Sequence, residues 1–329
     1  METPPTPQPT LENPDPTRGG ASRAVPPLLL ALAFSLSAFS VYGYLDASSA
    51  APSSQQAAAT SALPALPRLP DIELDAQSAI VVDMASGATL FERNADVQLP
   101  LASITKAALV LAVSEVLPLD SLITVGSTIP PTGTTGALPS GSVWRVQDII
   151  DFTLAGSSNE GAELLARAAD EPLRARYSAA PIGSAAVWRM DEIARERGLH
   201  DMYFLNPSGL DESATQSGGY GSARAVAALF AYVASALAEV FTATARKEVT
   251  ITSQEGRAVV ASNTDDALDA IPWIVLGKTG YTDLAGGNLA VVFDTGGHRI
   301  VAVVLGSTKD GRFSDMRALV AAVQKSIGR

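Results

Sequence analysis

The sequence predicts an α+β domain, an antiparallel sheet flanked by helices, preceded by an N-terminal transmembrane helix. Three observations carry this reading. Strand-like segments lie near both ends of the region from about residue 70 onward, helical patterns fill its middle, and an uncharged apolar run occupies residues 24–45. Strands that open and close a domain with helices between them pack most simply into one shared sheet.

Residues 1–23 are Pro/Thr-rich and polar, and read as a disordered cytoplasmic tail. The run 24–45, AVPPLLLALAFSLSAFSVYGYL, carries no charge. It is long enough to span a bilayer, which takes about 20 apolar residues. Arg18 and Arg23 precede it and Asp46 follows, so the positive-inside bias leaves the remainder outside the cytoplasm. A cleaved signal segment with small residues at Ser48-Ser49-Ala50 is the alternative. The length of the run favours an uncleaved membrane anchor. Residues 46–69 are rich in Ala, Ser, Pro and Gln and read as a flexible linker. Residues 70–329 form the globular domain.

Within it, Ser78–Met84 and Thr89–Glu92 read as two strands of a hairpin around the Ser86-Gly87 turn. A helix holding Ser103 follows Pro100. Further helices are expected over Val146–Leu154, Asn159–Ala169, Trp188–Arg197 and Ala223–Ala236. Asn288–Asp294 and Arg299–Leu305 read as a second hairpin around Thr295-Gly296-Gly297, and Ser314–Ile327 closes as a helix.

Composition narrows the chemistry. The 329 residues are 47% hydrophobic, enough for a sizeable core. Lys and Arg number 23 against 34 Asp and Glu, a net charge of -11, which opposes nucleic-acid binding. There is no cysteine, which excludes thiol catalysis, disulfides and thiolate metal sites. His200 and His298 are the only histidines and read as surface or turn residues, His298 in the second hairpin turn. Neither a metal nor an organic cofactor is implied. A GxSxG elbow is absent, so any catalytic serine needs a base other than histidine.

Ser103 and Lys106 supply one candidate pair. Residues three apart on a helix share a face. A serine hydroxyl needs a base, and a lysine becomes one when burial or a nearby cation lowers its pKa. The spacing alone equally suits a solvated amphipathic face; the nonpolar run Ala107–Val113 points to burial. Lysine is scarce, and Lys278 is the other one in a conspicuous setting. Gly277-Lys278-Thr279 is no phosphate loop, because Pro272 stands where that loop needs glycine. On a short edge-like segment, Lys278 could supply a second cation and Thr279 a hydroxyl for an anionic substrate. Gly280 would let a substrate backbone approach; an ordinary turn is the alternative. Ser157-Ser158-Asn159 opens a helix. A helix cap explains it as well as a proton relay through Ser157 and an amide-binding Asn159.

SxxK, SxN and KTG in this order resemble the penicillin-binding proteins and serine β-lactamases. The wider segments AIVVDMASGATLFERNADVQLPLASITKAALV, LPSGSVWRVQDIIDFTLAGSSNEGAELLA, FLNPSGLDE and GKTGYTDLAGGNLAVVF resemble the D-alanyl-D-alanine carboxypeptidases of peptidase family S11, over roughly residues 74–325. The resemblance implies a DD-peptidase/β-lactamase-like fold. It implies a serine peptidase that removes the terminal D-alanine of peptidoglycan stem peptides ending in D-Ala-D-Ala, with β-lactam antibiotics as covalent inhibitors. It assigns Ser103 as nucleophile, Lys106 as base, Ser157 as relay, Asn159 as substrate contact and Lys278 as electrostatic group. Thr279 and Arg312 bind the terminal carboxylate, with Arg317 a nearby alternative, and the N–H groups of Ser103 and Tyr281 hold the oxyanion.

Several features depart from the family pattern. Ser158 replaces a smaller or different residue, and EPLRARYSAAPIGSAAVW looks longer than its counterpart. The chain ends soon after its last helix, so a C-terminal β-rich domain and amphipathic anchor are expected to be absent. A class A-like β-lactamase is the rival, but no glutamate between Asn159 and Lys278 stands out as a water activator. A catalytically silent wall-binding scaffold is the other, opposed by the intact motifs.

Overall fold

The computed structural model describes residues 64–126 and 137–328. The tail, the apolar run 24–45 and most of the linker lie outside the described residues, so the expected transmembrane helix does too. Among the described residues no single helix is long and apolar enough to cross a membrane.

Both ends of the domain meet in one antiparallel sheet, as expected. Its strands are β1 (Ser78–Asp83), β2 (Thr89–Arg93), β10 (Ile274–Thr282), β11 (Gly286–Thr295) and β12 (His298–Ser307), in the order β10-β11-β12-β1-β2. Ala79 faces Val304 and Val81 faces Ala302 across the β1–β12 seam. Both faces of the sheet are covered. Ile80, Val301, Val303 and Val292 point into one core, while Val81, Val291, Phe293 and Val304 point into another. This explains why the strands read as continuous apolar runs rather than alternating ones. Helix α6 (Gly311–Ile327) packs on the second face, and α5 (Ala223–Ala236) covers the first.

Between the sheet strands lies a helical layer: α1 (Lys106–Ser114), α2 (Val146–Ala155), α3 (Asn159–Arg176) and α4 (Ala185–Glu196). Helix α1 is its centre, with Lys106 through Val113 all buried. Buried Arg189 of α4 makes a bidentate pair with Glu115 just beyond α1, at 2.7 and 2.8 Å, and reaches Glu196 as well. Short strand pairs fill the rest: β4 (Leu122–Thr124) with β5 (Val143–Arg145), β8 (Glu248–Thr252) with β9 (Ala258–Ser262), and β7 (Gly219–Gly221) between β3 (Leu99–Pro100) and β6 (Tyr203–Phe204). Of these small strands only the region of β6, at the start of FLNPSGL, was anticipated; β3, β4, β5 and β7 are two or three residues long and show no period.

The structure corrects three expectations. Ser103 does not sit in an α-helix but in a 3-10 turn, Ala102–Thr105, and α1 begins at Lys106. Helix α3 runs past Ala169 to Arg176, through Pro172, because Leu165, Ala169 and Leu173 are buried along one face. That packing outweighs one lost backbone bond. His298 is no surface turn residue: it is 3% exposed, the first residue of β12, with Nδ1 3.3 Å from Asp83 Oδ2. Asp83 also accepts from Ala85 N and Ser86 Oγ, so this pair ties the two hairpin ends together.

Asp315 of α6 anchors the chain's entry to the sheet. Its buried carboxylate accepts from the N–H groups of Asp75 and Ala76, both at 2.9 Å, and from Ser307 Oγ at 2.7 Å. Asp315→Ala strands two N–H groups and a hydroxyl, and is expected to lower stability by about 3 kcal/mol in urea unfolding.

Candidate active site

Ser103, Lys106, Ser157, Asn159, Lys278 and Thr279 are drawn together where the 3-10 turn, the start of α3 and edge strand β10 converge. The 3-10 turn sharpens the Ser103–Lys106 relation. In such a turn residues i and i+3 eclipse, so the two side chains stack. Lys106 Nζ lies 2.7 Å from Ser103 Oγ, 2.7 Å from Asn159 Oδ1 and 2.7 Å from the Ser208 carbonyl. The last two atoms can only accept. A neutral amine has two N–H groups and one lone pair. Its two protons satisfy Asn159 and Ser208, and its lone pair is left facing the Ser103 hydroxyl.

Electrostatics favour that neutral form. Burial holds the Lys106 pKa well below the ordinary lysine value, and the positive charge of Lys278 adds to the effect; Glu163 opposes it. Lys278 is 3% exposed, and burial with the Arg312 guanidinium brings its pKa down to about 7, against the pull of Asp265. Its Nζ donates to Ser157 Oγ at 2.8 Å and to the Thr279 carbonyl at 2.9 Å.

Ser158 caps α3, accepting from Gly161 N at 3.0 Å. The cap reading thus holds for the middle residue, and leaves its neighbours for the site. Ser157 takes φ 56°, in the left-handed region, and Asn159 begins the helix. The residue before the candidate nucleophile, Ala102, is left-handed too, at φ 48°. Gly209 supports it: a Cβ there would lie 1.9 Å from the Ala102 carbonyl oxygen.

Strand β10 is the sheet edge, as read, but spans nine residues and is not short. Its N–H groups alternate between β11 and the open side. Gly277 N donates outward to Thr244 Oγ1 at 3.1 Å, so two and four residues on, Thr279 and Tyr281 direct theirs outward as well. The close approach that Gly280 permits is that of the 3-10 turn: a Cβ there would be 2.8 Å from the Leu101 carbonyl oxygen and 3.2 Å from Ser103 N. Tyr281 N–H and Ser103 N–H therefore border the same small space. Thr279 Oγ1 bonds with Thr264 Oγ1. Arg312 braces the edge strand through the Gly280 carbonyl at 3.1 Å, with its guanidinium 5.9 Å from the half-exposed Tyr281 ring. Arg317 donates instead to the Asp266 carbonyl and is not part of the site.

Ser208, Thr264 and Glu163 were passed over in the sequence. Ser208 acts through a backbone carbonyl, which no residue type announces. Glu163 stands one helical turn beyond Asn159, and that spacing was the available signal. Among the described residues no group of three or more His, Asp or Glu could hold a metal ion.

A family model described as D-alanyl-D-alanine carboxypeptidase, peptidase S11, matches residues 61–309. A D-alanyl-D-alanine carboxypeptidase of Mycobacterium tuberculosis is 29% identical over 240 residues, covering 72% of this chain and 77% of the relative. One from Escherichia coli is 28% identical over 257 residues, covering 75% of this chain and 60% of the relative. The fold is similar to that of a penicillin-binding protein from Listeria monocytogenes, solved in its ampicillin-bound form. The TM-score is 0.64 at 25% identity, over 77% of this chain and 99% of that one.

Lysine is scarce enough for side-chain amine NMR to follow each residue. Lys278 is expected to titrate near 7 and Lys106 well below the ordinary lysine value. In Lys278→Gln the neighbouring cation is gone, so the Lys106 midpoint should move upward; an unmoved midpoint would mean that the two amines do not interact.

Proposed function

The chain belongs to the D-alanyl-D-alanine carboxypeptidases of peptidase family S11, and from that premise we propose how its own residues carry out the reaction. The protein is a serine-type D-Ala-D-Ala carboxypeptidase that binds penicillins. The observation that carries the residue assignment is the Lys106 amine, held at 2.7 Å from Ser103 Oγ with both other partners restricted to accepting.

Lys106 takes the proton as Ser103 Oγ attacks the carbonyl carbon of the penultimate D-alanine. The negative charge that develops on the carbonyl oxygen is met by the N–H groups of Ser103 and Tyr281. Ser157, bonded to Lys278, gives its proton to the leaving nitrogen and takes back the one held by Lys106, which is left neutral again. The C–N bond breaks, the terminal D-alanine departs, and an ester remains on Ser103. Water, deprotonated by Lys106, then attacks the ester and releases the shortened peptide. Asn159 orients the acyl side of the peptide. The terminal carboxylate of the substrate is held by Thr279 beside Lys278, in a field to which Arg312 adds positive charge. A β-lactam presents a strained amide and a carboxylate to these same groups, and so acylates Ser103.

In this proposal the uncharged run 24–45 anchors the chain in the bacterial cell membrane by a single pass. The linker 46–69 then gives residues 70–329, the catalytic domain, access to peptidoglycan on the extracytoplasmic side. The charge pattern around the run supports this orientation.

Intact mass of the full-length chain after exposure to benzylpenicillin, together with D-alanine release from a D-Ala-D-Ala peptide, tests the assignment. The wild type should gain one adduct and release D-alanine, and Ser103→Ala should do neither. Lys106→Ala should slow acylation by about 10²–10⁴-fold, the usual contribution of a positioned base. Acylation of Lys106→Ala at the wild-type rate removes the general-base role, and rapid drug hydrolysis without an adduct makes the protein a β-lactamase instead.

A further inference from the structure

A second cavity, of about 280 Å³, adjoins the catalytic groups along α3 and has no part in the steps above. Glu163, Ala166 and Asp170 form one wall, Val187 of α4 another, and Leu205 and Pro207 a third. It is contiguous with the site at two points. Glu163 lies one helical turn from Asn159, and Pro207 immediately precedes Ser208, whose carbonyl accepts from Lys106. The segment that supplies Val187 is the one whose length marked it as irregular in the sequence.

The direction of the bound peptide follows from the proposed function, on which this inference rests. Its terminal carboxylate lies at Thr279, on β10, and its scissile carbonyl at Ser103. Its upstream residues therefore leave past Asn159, on the side of α3 that carries Glu163. The lining there is mostly apolar, with Ser184 and Asn206 as neutral polar members and Glu163, Asp170 and Arg167 as charged ones. Asp170 is already engaged, accepting from Ala185 N at 3.2 Å and facing Arg174 at 3.6 Å. The Glu163 carboxyl is half-buried, with the Arg167 guanidinium one helical turn on. Burial accordingly raises its pKa, opposed by the charges of Arg167 and Lys106. A mostly apolar pocket with a half-buried carboxyl suits a methylene chain that ends in a cation.

We propose that this cavity is a specificity subsite for the amine-bearing side chain of the stem-peptide residue that precedes D-Ala-D-Ala, with Glu163 receiving its ammonium. The wall residues cover the methylenes, and the carboxylate fixes the end. Glu163 is thereby a substrate-binding residue rather than a water activator.

The test compares kcat/KM of the full-length chain on two peptides, X-D-Ala-D-Ala with X as L-lysine or Nε-acetyl-L-lysine. The wild type should prefer the free amine by several-fold to about tenfold, the range of a half-buried ion pair. In Glu163→Gln that ratio should fall to about one. Any influence of Glu163 on Lys106 is common to both peptides and cancels in the ratio. A ratio near one in the wild type, or a ratio unchanged in Glu163→Gln, overturns the subsite. Equal loss on both peptides, with a penicillin adduct that persists longer than in wild type, assigns Glu163 to deacylation instead. Release of D-alanine from neither peptide overturns the carboxypeptidase reading itself, and the subsite with it.

Discussion

Everything in the site depends on keeping one amine dry. Lys106 is wholly buried at the head of a helix whose next seven residues are buried and apolar. A charged ammonium there would lose most of its hydration, a cost of several kcal/mol that neutralisation avoids. The fold thus sets the protonation state by burial, and the hydrogen bonds then choose its geometry. Asn159 and Ser208 take the two protons because neither oxygen can donate. The lone pair has one direction left, toward Ser103. Moving Lys106 to the surface would keep the spacing of the motif and lose the burial that lowers its pKa.

Two further constraints converge on the same few ångströms. The sheet must end at β10, because a further strand would occupy the side on which Thr279 and Tyr281 present their N–H groups. Exposed edges invite pairing with other chains, and this one is blunted. Thr244 occupies the Gly277 N–H, Lys278 occupies the Thr279 carbonyl, and the 3-10 turn lies against Gly280. What remains is a short length of edge beside Ser103. The helical layer meets that remainder through α1 and the start of α3. Each candidate catalytic side chain therefore comes from a different element, and none has to bend its element to arrive.

The sequence made the fold class legible because the sheet strands are long, apolar and bounded by Gly turns. Helix α5 was bounded to the residue, since Ser222 caps it by accepting from Ala225 N. Helix α3 was cut short, because Pro172 reads locally as a stop while tertiary burial of Leu173 decides otherwise. The site was legible as three short motifs whose order, more than any one of them, carried the meaning. Their physical linkage was not. The Lys106–Ser208 contact joins positions 102 residues apart through a main-chain carbonyl. Thr264 meets Thr279 only after the chain returns from the β8–β9 hairpin. His298 looked like a turn residue because Gly296-Gly297 precede it. The partner that buries it, Asp83, comes from the opposite end of the domain.

The middle motif shows why such signatures are consecutive residues. Helix α2 ends at Ala155 with Gly156 as its C-cap, and α3 begins at Asn159, so only two residues, Ser157 and Ser158, separate that cap from α3. One must satisfy the first N–H groups of α3, and Ser158 does so. The other must reverse the chain, and Ser157 accepts a left-handed conformation that costs a residue with a Cβ about 1–3 kcal/mol. That conformation turns its hydroxyl to Lys278, while the cap fixes the first turn from which Asn159 reaches Lys106. Ala102 repeats the arrangement beside Ser103, held by Gly209. The strain sits at the two residues that aim the hydroxyls. Ala102 is fully buried against Gly209 and the Ser157 hydroxyl is bonded to Lys278, so the geometry is set before any substrate arrives.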